Sequence, residues 1–251
     1  RFLLPKHLDD GGLLTVGGMG EIRRVYDRCL RRYLVMKVLR LDLKENATAI
    51  ERFANEAQVT AQLEHPGIVP VHEMGSLPDG RPFFTMREVR GRTLETVIRA
   101  VHTASTTNRW GVAPCGWTFR KMLLAFRQVC EAVSYAHSRD VVHRDLKPAN
   151  ILVGDYGVVQ VVDWGLAKIL GRPSVDRTEL AVETDRSESG SHITQVGLVA
   201  GTVAYMPPEQ AKGQLDTLDT TADVYSLGAI LYEILCGFVP YEGRDWDSVW
   251  N

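Results

Sequence analysis

The segment His143-Arg144-Asp145-Leu146-Lys147-Pro148-Ala149-Asn150 puts Arg, Asp, Lys and Asn side chains into eight positions, after an apolar helical stretch and before an apolar strand-like run. A loop so polar between apolar neighbours needs an explanation other than a surface turn. Asp163, at the end of a further short apolar run, adds a carboxylate, a group suited to hard cations such as magnesium that prefer oxygen ligands. Near the other end of the chain, glycines at 17, 18 and 20 let backbone amides approach phosphate groups closely. Lys37 and Glu56, each taken alone, read as ordinary surface charges.

Two differently built regions must position these groups. The first third consists of short apolar runs between turn signals, which read as strands: Leu34 to Leu39, Val69 to Gly75 and Pro82 to Met86. Between the last two, Leu77-Pro78-Asp79-Gly80 is hairpin chemistry, because Asp-Gly tolerates the positive φ of a tight turn. One helix interrupts them, from about Ala47 to Glu64, with Phe53, Glu56, Ala57, Thr60 and Ala61 at three- and four-residue spacing and His65-Pro66 ending it. The remainder is mostly helical. Phe119 to His137 carries Met122, Leu123, Phe126, Val129 and Val133 as a buried central helix would, and Ala222 to Cys236 is apolar almost all round, the mark of a core helix. Between them, Ile151-Leu152-Val153 and Val158 to Val162 read as strands joined by a turn at Gly154 to Gly157. Asn108 to Gly116 and the serine-rich, acidic stretch Glu183 to Ser191 read as loops, the latter mobile. The expectation is an α+β fold: a small β-rich lobe over residues 1–88 and a larger, mainly helical lobe over 89–251.

Composition narrows the function. An apolar fraction of 45% and a charged fraction of 24% are those of a globular protein with a core. A net charge of -2 argues against nucleic-acid binding, which calls for a basic excess. Arg23-Arg24 and Arg31-Arg32 read as solvated strand edges and turns. The four cysteines have no metal-ligand spacing; Cys130 and Cys236 lie in apolar stretches and read as buried free thiols, which favours a reducing compartment. No apolar run reaches the roughly 18 residues of a membrane span. The opening residues lack a signal-peptide pattern, and the start at Arg1 without an initiator Met reads as an excised fragment.

The polar segment at 143–150 resembles the catalytic loop of protein kinases, H-R-D-L-x-x-x-N. The resemblance implies that Asp145 accepts or orients the proton of an attacking hydroxyl, that Lys147 neutralises charge on the moving phosphoryl group, and that Asn150 holds magnesium. Further motifs follow in the family's order. Asp163-Trp164-Gly165 is similar to the metal-binding D-F-G motif, with Trp in the Phe position. Leu34-Val35-Met36-Lys37 is similar to V-A-I-K, so Lys37 is implied to contact the α- and β-phosphates of ATP and Glu56 to be its ion-pair partner. Gly17, Gly18 and Gly20, with Ile22 after them, stand at the glycine-rich loop, although Thr15 replaces the family's first glycine. Val35 stands where the adenine pocket normally has Ala; its two extra methyls cost on the order of 1 kcal/mol if the pocket cannot adjust. Met86, Glu88 and Val89 fall at the gatekeeper and hinge, where backbone groups are implied to bond the adenine, and Leu152 falls at the adenine site.

Gly201-Thr202-Val203-Ala204-Tyr205-Met206-Pro207-Pro208-Glu209 resembles the end of an activation segment, and Asp223 matches the buried aspartate that ties the following helix to the catalytic loop, with a helix-capping role also open to it. Lys147 and Thr202 are similar to Ser/Thr kinases, and Gly-Gly-Met-Gly, Tyr-Met-Pro-Pro-Glu-Gln-Ala and Asp-Trp-Gly-Leu-Ala-Lys look like the bacterial eukaryote-type branch. The implied activity is ATP- and magnesium-dependent transfer of the γ-phosphate to protein Ser/Thr hydroxyls. Arg144 beside Asp145 implies control by activation-loop phosphorylation, with self-association for autophosphorylation; Thr194 is the expected acceptor and Ser191 the next. The alternative is a pseudokinase, an ATP-binding or signalling scaffold, supported by Thr15, Val35 and Trp164. The expected location is the cytoplasm, as a free domain or as the cytosolic part of a membrane-anchored protein. The sequence ends at Asn251, before the family's last helices, and exposed apolar surface is expected there.

Overall fold

Leu34, Met36 and Val38 alternate with Val35 and Lys37, the period of two that sends successive side chains to opposite faces of a strand. In the computed structural model, which describes residues 4–106, 109–171, 203–214 and 217–241, this run is the central strand of a five-stranded antiparallel sheet. The sheet comprises β1 (Leu8–Val16), β2 (Gly20–Asp27), β3 (Arg32–Leu39), β4 (Val71–Ser76) and β5 (Pro82–Arg87), in the spatial order β1-β2-β3-β5-β4. One face buries Leu8, Val25, Leu34, Met36, Val38, Leu77 and Phe83. On the other, Leu39 and Phe84 pack with Phe53 and Ala57 of α1 (Ala47–Gln62). Asn46 caps α1, accepting from Ala49 N at 3.0 Å. These elements form one compact unit, residues 4–64 and Val69–Glu88.

Two expectations shift for local reasons. The strand expected from Val69 starts at Val71, because Pro70 has no N–H for the ladder and contributes only its carbonyl, which accepts from Arg87 N at 3.2 Å. Arg23 and Arg24 are not solvated edge residues. They lie on β2, which is flanked by β1 and β3, and their guanidinium groups pair with Asp10 at 2.7 Å and Glu88 at 2.6 Å. The β4–β5 hairpin turns as expected, with Gly80 at φ 87° and its N–H on Leu77 O at 2.8 Å.

The second unit takes in His65–Ile68 and the described residues from Val89 onward. The tetrapeptide joins it because Gly67 O accepts from Val161 N at 2.8 Å, Gly67 sits too close to Ala132 for any side chain, and His65 stacks on Tyr135. The unit contains β6 (Gly91–Thr93), α2 (Leu94–Thr103), α3 (Phe119–Ser138), β7 (Val141–Val142), β8 (Ile151–Gly154), β9 (Val159–Val161), β10 (Lys168–Ile169), α4 (Pro208–Ala211) and α5 (Thr220–Cys236). The small sheets are β6-β8-β9 and β10-β7. Met122, Val129 and Val133 of α3 are buried, Leu123 and Phe126 half-buried. The chain is thus an α+β protein, β-rich in its first unit and mainly helical in its second.

α5 is a core helix on one side only. Ala222, Ser226, Ala229, Ile230, Glu233 and Ile234 are buried, whereas Val224, Tyr232 and Leu235 are exposed. The expectation of buried thiols fails for the same geometric reason. At about 100° per residue, Cys130 sits a step round α3 from buried Val129 and is half-buried, and Cys236 lies two steps from buried Ile234 and is exposed. All four cysteines are free. Among the described residues no helix is long and apolar enough to cross a membrane. Ser191, Thr194, Gly201 and Thr202, the stretch Glu183 to Ser191, Asn108 and the last ten positions lie outside the described residues.

Candidate active site

In the β-rich unit, Lys37 and Glu56 are far from surface charges. Lys37 lies on the β3 face that α1 covers, and its Nζ reaches Glu56 Oε1 at 2.5 Å, with the two side chains only 12% and 5% exposed. Charges withdrawn from water this far persist only when each offsets the other. Glu56 is placed by the same helical period that turns Phe53 and Ala57 toward the sheet.

The glycine-rich turn joins β1 to β2, closed by Gly17 N on Gly20 O at 2.8 Å. Gly20 is the tightest of the three: a Cβ would lie 3.0 Å from Val38 O and 3.1 Å from Lys37 Cγ, so its neighbours would have to give. At Gly17 and Gly18 the chain leaves room for one. Ile22 sits opposite Lys37, and Val35 opposite Met86, all on the face that α1 packs against. At the end of this unit the Glu88 carboxylate is taken by Arg24, whose guanidinium also lies 3.8 Å from the centre of the Tyr33 ring. Val89 and Leu152 belong to the second unit, both half-buried, with Leu152 paired to Thr93 and Gln160 in the β6-β8-β9 sheet.

In that unit the polar segment His143–Asn150 converges on Asp145. Lys147 Nζ donates to both carboxylate oxygens, at 3.0 and 2.8 Å, and Asn150 Nδ2 donates to Oδ2 at 3.0 Å and to the Asp145 carbonyl at 2.8 Å. His143 is wholly buried beneath them. Its Nδ1 accepts from Asp145 N at 3.2 Å, so Nε2 carries the proton and donates to Val162 O at 3.2 Å. Val162 N in turn donates to Asn150 O at 3.0 Å, which ties the residue before Asp163 to the same loop. Asp163 itself has φ 67°, a left-handed backbone uncommon outside glycine and frequent at functional sites.

Asp223 holds this loop from α5. Its carboxylate, only 1% exposed, accepts from His143 N at 2.8 Å, Arg144 N at 2.9 Å and His137 Nε2 at 2.7 Å. The capping role goes instead to Asp219, which accepts from Thr221 N at 2.7 Å. Arg144, at φ 66°, donates from Nε to Leu166 O at 2.6 Å and its carbonyl accepts from Gln210 at 2.9 Å. Trp164 is fully buried against the His143 ring, centroids 4.6 Å apart, and its indole N–H has no acceptor among the described residues. An orphaned buried donor costs about 1–3 kcal/mol, the physical consequence of Trp where the family has Phe.

Sequence reasoning missed His137, Gln210 and the pair Tyr205–Glu233. Each is a polar residue on an apolar helix or turn whose partner lies tens of positions away, so no local pattern marks it. Tyr205 O–H donates to the buried Glu233 carboxylate at 2.6 Å. Burial raises the Glu233 pKa above the usual glutamate value, against the Tyr205 hydrogen bond, which lowers it. A carboxyl with a raised folded pKa disfavours folding once it ionises. Glu233→Gln is therefore expected to raise the melting temperature at pH 7–8, with the gain vanishing below the ordinary glutamate value of about 4.3. Thermal melts of both proteins across pH 3.5–8 would show it; a gain that persists unchanged at the acid end would contradict it.

Residues 9–250 match the family described as protein kinase domain. The chain is 42% identical over 232 residues to the serine/threonine-protein kinase PknD of Protochlamydia amoebophila, covering 92% of this chain and 23% of that protein. To the serine/threonine-protein kinase PknB of Mycolicibacterium smegmatis it is 37% identical over 246 residues, covering 95% of this chain and 34% of the relative. To PknB of Mycobacterium tuberculosis it is 36% identical over 252 residues, covering 98% and 35%. The chain thus spans about a quarter to a third of the length of these curated relatives. A match that runs almost from end to end of the sequence, through both units, shows that the chain belongs to the protein kinase domain family.

Proposed function

We propose that this chain is an ATP- and magnesium-dependent serine/threonine protein kinase of the bacterial eukaryote-like kind. The observation that carries the reading is the Asp145 carboxylate, held at both oxygens by Lys147 and at one by Asn150, on a backbone fixed by His143 and Asp223. A base so oriented can align a Ser or Thr hydroxyl and take its proton as the oxygen attacks phosphorus. Lys147 lies beside it as the cation that meets charge spreading over the phosphoryl oxygens. Lys37, held by Glu56, is the contact to the α- and β-phosphates, and the Gly17–Gly20 turn lies two strand positions from it in register.

The donor set fits magnesium. Asn150 spends its amide N–H groups on Asp145, which leaves Oδ1 as its coordinating atom, and Asp163 supplies a carboxylate. Among the described residues there is no group of three or more His, Cys, Asp or Glu arranged around a metal. The Asn150 and Asp163 oxygens suit an ion that takes one or two protein ligands and completes its shell with phosphate and water. When bound, magnesium would neutralise charge on the nucleotide's phosphates. Lys147 and the relatives' printed names support Ser/Thr acceptors on proteins over tyrosine. Activation-loop autophosphorylation at Thr194 or Ser191, self-association and cytoplasmic placement belong to this proposal as well.

Intact mass after incubation with magnesium and ATP, beside a generic Ser/Thr protein substrate, tests it. The wild type is expected to gain phosphates, and Asp145→Asn to lower the transfer rate about 10²–10⁴-fold. A wild type that binds nucleotide yet transfers nothing, both as this chain and as a longer version, would favour the scaffold reading instead.

A further inference from the structure

Arg81, at the start of the β5 side of the hairpin, has a side chain only 6% exposed and belongs to none of the motifs above. A guanidinium cannot lose its proton, so burying it requires several acceptors. Its Nε pairs with Asp79 Oδ2 at 2.9 Å, and Asp79 Oδ1 also accepts Arg81 N at 3.0 Å. Its Nη1 lies 3.4 Å from Glu21 Oε1 and 3.3 Å from Leu39 O. Those two acceptors are the significant ones: Glu21 is the residue after Gly20, and Leu39 is the residue that faces Gly20 across β2 and β3. One buried cation thus ties β2, at the base of the glycine-rich turn, to β3. The line of charge continues from Glu21 Oε2 to Arg23 at 3.5 Å and from Arg23 to Asp10 on β1 at 2.7 Å, which reaches the turn's other strand. Gly20, held in this way, lies against the Lys37 side chain, 3.1 Å from Lys37 Cγ to where a Cβ would stand.

We infer that Arg81 is a positioning residue for nucleotide binding: through Glu21 and Leu39 O it sets where the glycine-rich turn stands relative to Lys37. The inference rests on the kinase reading above for its ligand, the triphosphate of ATP. A turn that cradles phosphates contacts them alike before and during transfer, so its misplacement weakens binding more than it slows chemistry.

Two measurements test this on the same proteins. In steady-state kinetics, Arg81→Met should raise the KM for ATP about tenfold with kcat within about twofold, and Glu21→Gln should raise it about threefold. The double variant should be no worse than Arg81→Met, since both cut one chain. Arg81→Lys, whose single ammonium cannot meet Asp79 and the Glu21–Leu39 pair at once, should rescue only in part. In hydrogen exchange without nucleotide, the amides of residues 16–22 should exchange faster in Arg81→Met than in wild type, while those of α5 stay unchanged. Faster exchange with an unaltered KM would reduce Arg81 to a structural role and overturn the inference, as would additive KM effects or unchanged exchange. If Arg81→Met does not fold, Glu21→Gln and Asp79→Asn, whose side chains are partly exposed, carry the same test. A wild type that transfers no phosphate would overturn the kinase reading, while the exchange data would still decide whether Arg81 anchors the turn.

Discussion

Asp223→Ala is expected to destabilise the protein by about 3–5 kcal/mol, because removing one member of a buried charged network strands the others. The stranded groups are specific. His143 N and Arg144 N are backbone donors with no water to turn to, and the His137 ring loses the carboxylate that accepts from it at 2.7 Å. At roughly 2–4 °C per kcal/mol for a protein of this size, the melting temperature should fall by about 10 °C. Activity should fall further than the folded fraction, since the two donors are the backbone immediately before Asp145. Asp223→Asn, of nearly the same shape, is also expected to be damaging: its single amide oxygen replaces two acceptors, and its NH2 group faces a donor. Melts and phosphate-transfer rates below the melting transition check both. An Asp223→Ala protein melting within about 2 °C of wild type would refute the claim that this carboxylate holds the loop.

Lys37→Met should lower kcat/KM about 10²–10³-fold, the loss typical of deleting a preorganised charge from a transition state. It withdraws the cation 2.5 Å from Glu56 in a site that water scarcely reaches, so a drop in melting temperature without nucleotide is expected as well. Lys37→Arg should not restore the rate, because a planar guanidinium pairs with Glu56 in a different geometry and carries its charge elsewhere. Single-turnover rates on folded variants separate the two effects. A Lys37→Met protein within about threefold of wild type would remove Lys37 from the reaction.

The contrast between Lys37 and Arg81 shows how far local pattern carries. Lys37 stands out in the sequence because it ends a recognisable run and stands in order with Asp145 and Asp163. Arg81 follows an Asp-Gly turn and belongs to no motif, yet it is buried against Asp79 of its own hairpin and against Glu21 and Leu39 O from two other strands. Arg24 is alike: nothing near it in sequence announces Glu88, 64 positions away.

Although β1, β2 and α2 carried no legible signal, sequence alone settled the α+β class, the bounds of the strands and helices it marked to within about two residues, the hairpin at Asp79-Gly80 and the identity of the family. These follow from periodicity, turn chemistry and motif strings, all of which act over a few neighbouring residues. Tertiary structure alone decided which side of α5 is core, that Cys130 and Cys236 are not buried, that His65–Ile68 packs with the helical unit, and that Asp219 rather than Asp223 caps α5. It alone brought His137, His143 and Arg144 onto one carboxylate, across separations of 79 to 86 residues. The physical reason is that burial of a charge or a polar group is settled by partners, and partners that far apart in the chain meet only when it folds.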